Sequence, residues 1–165
     1  MPANFAALDR VFHPKTVVVI GDKKASGYMW LKANKDFKGN LYSVQIDPNE
    51  IQGIEELGVK NFTSLKDVPA PIDYAIVAVP RVVAARIVAD CIENKVGGVT
   101  LFTSGFAETG TEDGIESQSR LFDMANEAGM VLIGPNCMGL YNPGLGLSFS
   151  LGLEMHEGGN VAFSS

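Results

Sequence analysis

The stretch TVVVIGDKKASG, residues 16–27, decides the fold. Val17, Val18, Val19 and Ile20 are apolar and β-branched without alternation, which reads as a strand covered on both faces, as in a parallel sheet. The run breaks at Gly21 into a short polar loop, and residues 28–35 follow as a proline-free helical segment. A strand, a tight glycine turn and a helix N-terminus together predict an anion site. The first helical N–H groups lack intrachain partners, and the helix dipole favours negative charge. The adjacent Lys23 and Lys24 suit a phosphate. The spacing departs from the dinucleotide fingerprint G-x-G-x-x-G, because position 23 is lysine and only Gly21 and Gly27 flank the loop. From these residues alone two readings stay open: a nucleotide-type ligand, or a plain connection with solvated lysines.

Working outward, Phe5, Leu8, Val11 and Phe12 recur at helical spacing ahead of the strand, closed by His13-Pro14, and predict a short helix packed on the sheet. After the first loop come a strand over 41–46, a helix over 50–57, a brief edge strand over 59–63 and a helical turn over 64–69. Asp47-Pro48 ends the second strand, where an acidic residue either bonds a ribose hydroxyl or caps the next helix. The second strong apolar run, IDYAIVAV over 72–79, predicts another central strand. Pro80 is suited to the first turn of a helix whose buried stripe is Val83, Ile87, Val88, Cys91 and Ile92. A strand over 99–103 then opens into the loop SGFAETG, and residues 113–128 form a helix with Leu121, Phe122, Met124, Ala125 and Ala128 facing inward. A last strand over 130–133 runs into GPNCMG, a glycine-rich stretch follows from 141, and 160–163 reads as the start of one more strand.

Strands alternating with helices predict a Rossmann-like, doubly wound α/β fold: a mainly parallel sheet in the order 3-2-1-4-5-6 with helices on both faces. Ligands of such sheets sit at the carboxyl ends of the strands near the reversal of strand order. That rule selects the loops over 21–27, 79–82, 103–110 and 134–139.

At 165 residues with 46% hydrophobic content, the chain is long enough for one domain with a real core. Its 13 basic and 19 acidic residues leave a net charge of −6, which argues against nucleic acid or an anionic membrane as partner and confines any phosphate site to a local patch. No apolar run spans a bilayer and the N-terminus lacks a signal-peptide layout, so a cytoplasmic protein is expected. Cys91 and Cys137 have no metal spacing, and His13 and His156 lie far apart, so reduced thiols and no metal are expected. Cys91 reads as a core residue.

With the loops assembled, the chain resembles the CoA-binding domain of the NDP-forming acyl-CoA synthetases, the superfamily that includes the succinyl-CoA synthetase alpha subunit. The matching pieces are LDRVFHPKTVVVIG at 8–21, IVAVP at 76–80, TSGFAETG at 103–110 and GPNCMGLYNP at 134–143; GNVAFSS at 159–165 looks like the family's link to a second domain. The first loop, DKKASGY, carries less glycine and serine than the family's. The resemblance implies coenzyme A as cofactor. It places Gly21, Lys23, Lys24 and Gly27 near its nucleotide end, Asp47 and Pro48 around the adenosine, and Val79, Pro80 and Arg81 along the middle. Ser104, Gly105 and Phe106 would line the pantetheine, with Asn136 and Cys137 at the thiol end, where their backbone N–H groups are candidates to hold an acyl carbonyl. No catalytic residue is implied, since the family's phosphorylated histidine lies beyond the matching segment, so neither His13 nor His156 inherits that role.

Residues 1–165 would then be the CoA-binding, N-terminal part of a longer ADP- or GDP-forming acyl-CoA synthetase, with CoA or acyl-CoA and further domains or a partner subunit as its partners. A CoA- or nucleotide-sensing regulatory domain and an NAD(P)-dependent oxidoreductase domain are the alternatives. The local sequence offers Cys137 no means of lowering its pKa, because the nearest basic residues are Arg120 and His156, so its expected role is positional.

Overall fold

The apolar run at the start of the chain forms β1 (Thr16–Ile20), every residue of which is buried. The computed structural model describes residues 4–157 and 159. Around β1 the chain adds α1 (Phe5–Phe12), α2 (Met29–Ala33), β2 (Asn40–Val44), α3 (Pro48–Glu56), β3 (Lys60–Phe62) and β4 (Tyr74–Val77). It continues with α4 (Arg81–Glu93), β5 (Gly98–Leu101), α5 (Glu112–Glu127) and β6 (Val131–Ile133). The six strands make one sheet in the order β3-β2-β1-β4-β5-β6, and each neighbouring pair is parallel. Fold class and strand order are therefore those that the alternation predicts. The further strand expected over 160–163 lies outside the described residues.

Side chains alternate across the pleat and divide the core in two. Val18, Ile20, Ala75, Val77, Val99 and Leu101 face Ala84, Val88 and Cys91 of α4 and Leu121 and Ala125 of α5. Val17, Val19, Tyr74 and Ile76 face Val11, Trp30, Leu31 and Ile54. Burial pushes the Cys91 thiol up to about 12, in keeping with a core residue.

Residues 134–149 lie across the second face where a helix would otherwise sit, and Leu147 is wholly buried. Asn34, itself buried, fastens this strap. Its Nδ2 donates to the Ser148 carbonyl and its Oδ1 accepts from the Ser148 N–H, each at 2.9 Å.

Two helices bury less than their periodicity predicts. In α1 only Val11 is fully buried, while Phe5 and Phe12 are exposed, because this two-turn helix meets the sheet at one point. That point is Gly98, where a Cβ would lie 2.6 Å from Val11 Cγ2. In α5 Leu121 and Ala125 are buried but Phe122 and Ala128 are exposed. Successive helical residues point about 100° apart, and a helix over the sheet's edge covers only a narrow stripe. Exposed Phe122 and Ile115 instead border a cavity of about 370 Å³ with Leu132 and Gly134.

A buried carboxylate ties the opposite end of the sheet together. Asp73 Oδ1 accepts from Arg10 Nε at 2.8 Å, and Oδ2 accepts from the N–H groups of Lys15 at 2.8 Å and Thr16 at 3.1 Å. One side chain thus fixes α1, the entry to β1 and the entry to β4. Asp73→Ala would strand Arg10 and two backbone donors, and is expected to lower the unfolding free energy by about 3 kcal/mol in urea titrations. An unchanged midpoint would mean that water replaces the carboxylate without loss.

Candidate functional site

The sheet reverses direction of winding between β1 and β4, and a crevice opens there at the carboxyl ends. Gly21 makes this junction possible. Its φ is +84°, and a Cβ on it would stand 2.6 Å from Val79 Cγ1 and 3.0 Å from the Ala78 carbonyl. The loops after β1 and β4 therefore meet in direct contact, with Gly21 and Val79 as the floor.

The loop over 21–27 differs from its expectation as an anion cradle. Tyr28 takes a left-handed conformation (φ 54°), so α2 begins only at Met29 and is five residues long. Asp22, 1% exposed, caps it from within: Oδ2 accepts from the Leu31 N–H at 2.9 Å, while Oδ1 accepts from the Lys23 N–H at 3.0 Å and the Ser26 hydroxyl at 2.9 Å. The Lys24 N–H donates to Glu50 Oε2 at 2.6 Å. Those of Ser26, Gly27 and Tyr28 donate to the Lys23 and Lys24 carbonyls within a turn over Lys24–Ser26. Side-chain and backbone acceptors of the chain itself thus take the Lys23, Lys24, Ser26, Gly27, Tyr28 and Leu31 N–H groups. Lys23 and Lys24 remain exposed, and among the described residues neither forms an ion pair.

Beyond β2, Asp47 caps α3, its Oδ1 accepting from the Asn49 N–H and Asn49 Nδ2 at 2.9 Å each, with Pro48 in the first turn. The capping role read for Asp47 is thus present in the structure. Ile46 beside it and Val82 in the first turn of α4 are 74% and 91% exposed, so apolar surface stands after both β2 and β4. Neither belongs to the residues that sequence reasoning selects, because single apolar residues in loops carry no periodic signal. Pro80 precedes α4 as its cap instead of entering the first turn.

The Arg81 guanidinium stacks over the Phe106 ring at 5.5 Å and bonds the Asp113 carboxylate, the Asp113 carbonyl and the Ser117 hydroxyl. Its charge is committed toward α5. Phe106 is buried beneath it, Ser104 is exposed, and Gly105 approaches Arg81. Glu108 closes this loop, with its two carboxylate oxygens accepting from the Gly105 N–H at 2.6 Å and the Phe106 N–H at 3.0 Å. The Gly105 N–H chiefly, then the Glu108 and Phe106 N–H groups and Arg81, holds the Glu108 carboxyl below the usual carboxylate range.

At the end of β6, the Asn136 and Cys137 N–H groups donate to the Thr103 carbonyl at 2.9 Å and the Leu101 carbonyl at 3.3 Å. They are therefore not available for an acyl carbonyl, contrary to expectation. Asn136 itself is exposed and Cys137 half-buried. The structure thus brings Gly21, Lys23, Lys24, Gly27, Asp47, Pro48, Val79 and Pro80 to the β2, β1 and β4 end of the crevice. Arg81, Ser104, Gly105, Phe106, Asn136 and Cys137 gather at its β5 and β6 end.

A family model described as a CoA binding domain matches residues 15–143. The alpha subunit of ADP-forming acetate–CoA ligase II from Pyrococcus furiosus is 37% identical over 162 residues, covering 96% of this chain and 34% of that one. PH0766 from Pyrococcus horikoshii OT3 superposes with a TM-score of 0.77 at 39% identity, over 87% of this chain and 32% of that one. The apo form of a dinucleotide forming acetyl-coenzyme A synthetase 1 from Ca. Korarchaeum cryptofilum gives 0.73 at 31% identity, over 86% and 31%. The chain spans roughly a third of the length of these relatives. Among the described residues no helix is long and apolar enough to cross a membrane.

The Glu108 clasp is measurable without any ligand. A carboxyl with a lowered pKa stabilises the loop fully above its ordinary value and loses that effect as pH falls through the lowered one. The amide proton shifts of Gly105 and Phe106 should therefore hold steady from neutral pH to about pH 5 and move together only in more acid solution. Glu108→Gln should abolish that titration. Shifts in the variant that still follow the wild-type curve would show that another group holds the loop.

Proposed function

Because the chain belongs to the CoA-binding domain family, we propose that it binds coenzyme A or an acyl-CoA along the carboxyl edge of its sheet, as one domain of an ADP- or GDP-forming acyl-CoA synthetase. The observation that carries the placement is the pair of exposed ammonium groups, Lys23 and Lys24, which form no ion pair among the described residues and stand over the reversal of strand order. CoA is a long anion with an apolar arm. It needs local cations for its phosphates and a slot with few polar partners for pantetheine.

In this reading Lys23 and Lys24 meet the phosphates, and Gly21 and Gly27 let the loop turn beneath them. Asp47 and Pro48 bound the adenosine, and exposed Ile46 and Val82 offer it apolar contact from both sides. Val79, Pro80 and the stem of Arg81 line the middle of the cofactor. Ser104, Gly105 and Phe106 form the wall beside the pantetheine, and Asn136 and Cys137 stand at the thiol end as positioning groups. The domain binds and does not itself catalyse. In a complete synthetase the chemistry is the reversible conversion of an acyl-CoA, phosphate and a nucleoside diphosphate into the free acid, CoA and the triphosphate. A complete synthetase of this kind requires additional domains or a partner subunit. The sensing and oxidoreductase alternatives are not favoured: the family is one of CoA binding, and the first loop lacks the glycine that lets a pyrophosphate approach the backbone.

Calorimetry is expected to give a Kd for CoA well below that for NAD, and tighter binding of NAD would overturn the reading. Replacing both lysines, Lys23→Ala with Lys24→Ala, is expected to weaken CoA binding by about 1–3 kcal/mol with the fold intact. A Kd that stays the same at low salt would reduce the lysines to a solvated turn.

A further inference from the structure

The carboxylates that occupy the first loop point to a selectivity device. We infer that Asp22, with Glu50, closes the Lys23, Lys24 and Leu31 N–H groups to ligand phosphate, so that the Lys23 and Lys24 side chains are the main partners a phosphate meets there. The inference rests on the CoA reading for the identity of the ligand, but it concerns the loop's own chemistry.

Three observations converge on it. Asp22 is buried to 1% exposure although it follows a strand end beside a solvent-facing crevice. A carboxylate held in that setting has to be matched by donors, and it takes three: the Lys23 N–H, the Leu31 N–H and the Ser26 hydroxyl. Glu50 reaches across from α3 to take the Lys24 N–H, and Gln45 Nε2 donates to the Asp22 carbonyl at 3.0 Å, which fixes the residue from its backbone side as well. The anion that this loop stabilises is therefore part of the chain.

The consequence is a filter. A dinucleotide is recognised at this place in the fold by backbone N–H groups of a glycine loop, and its pyrophosphate must come within hydrogen-bond distance of them. Here it would have to displace one buried carboxylate and one half-buried one while approaching both charges. A ligand whose phosphates are reached by flexible side chains avoids both costs, because two lysine stems carry the cations out into solvent. Asp22 and Glu50 are thus positioning residues that discriminate between two ways of binding phosphate at one strand end.

The test compares NAD, inorganic pyrophosphate and CoA on the wild type, Asp22→Ala and Glu50→Ala by calorimetry. Asp22→Ala is expected to gain affinity for NAD and pyrophosphate by about tenfold or more, the scale of one freed charge-assisted hydrogen bond, while CoA affinity changes less. Glu50→Ala, at a less buried position, is expected to show a smaller gain. In the wild type, adding CoA should shift the side-chain resonances of Lys23 and Lys24 and leave the Leu31 amide unmoved. Folded Asp22→Ala with unchanged NAD and pyrophosphate affinity would overturn the inference, as would a wild-type Leu31 amide that moves on CoA binding. Should Asp22→Ala fail to fold, Glu50→Ala and the wild-type amide decide, and an unchanged pyrophosphate affinity in Glu50→Ala then counts against it. If the wild type binds no CoA, the family-based ligand is wrong, yet the gain in pyrophosphate affinity still tests the device.

Discussion

A strand covered on both faces and paired on both edges leaves only its two ends to touch anything else. That constraint on β1, with β2 and β4 as its parallel neighbours and all five residues buried, governs the molecule. Parallel pairing on both sides requires crossover segments, and those crossovers supply the helices. Because the chain leaves β1 toward β2 and later returns to the other side with β4, the loops after β1 and β4 touch at Gly21 and Val79 and diverge beyond that contact. The crevice is a product of topology before any side chain contributes to it. Gly21 then sets its depth, because no side chain fits between the two loops there.

Around both ends of the sheet the chain uses its own carboxylates to satisfy backbone donors. Asp73 serves the entry of β1, Asp22 and Glu50 the loop beyond it, Asp47 the start of α3, and Glu108 the loop after β5. Backbone N–H groups at such positions need an acceptor, and an internal one removes the need for bound anion or ordered water. In a chain of net charge −6 this arrangement places acidic groups where they are matched and leaves the lysines of the first loop outermost.

The fold was legible because its signals are additive. Four consecutive β-branched residues at Val17–Ile20, another apolar run ending at Val79, and glycines at the turns all point to the same sheet. The loops that line the crevice were legible for the same reason, since the rule for parallel sheets requires only their position. What remained hidden depends on single contacts. Asp22 gives no sign in the sequence that it is buried, and Asp73 sits inside what reads as an apolar strand. The late start of α2 follows from the left-handed turn at Tyr28, which helix propensity does not predict. Phe122 shows the opposite limit: an apolar residue beside Leu121 cannot share its buried face, and only the placement of α5 at the sheet's edge decides which of the two is covered.

The strap over 134–149 has a consequence for the order in which the molecule assembles. Its amide pairing joins Asn34 to Ser148 across 114 residues, so the loop it closes contains five of the six strands. Contacts of such long separation cost the most chain entropy to form and reward it last. A chain that has already paired its six strands still lacks, until Leu147 arrives, one wholly buried member of the cluster that holds Trp30, Leu31 and Tyr74. The surface under the strap is thus the one on which a chaperone or an unwanted neighbour would find this protein before folding ends.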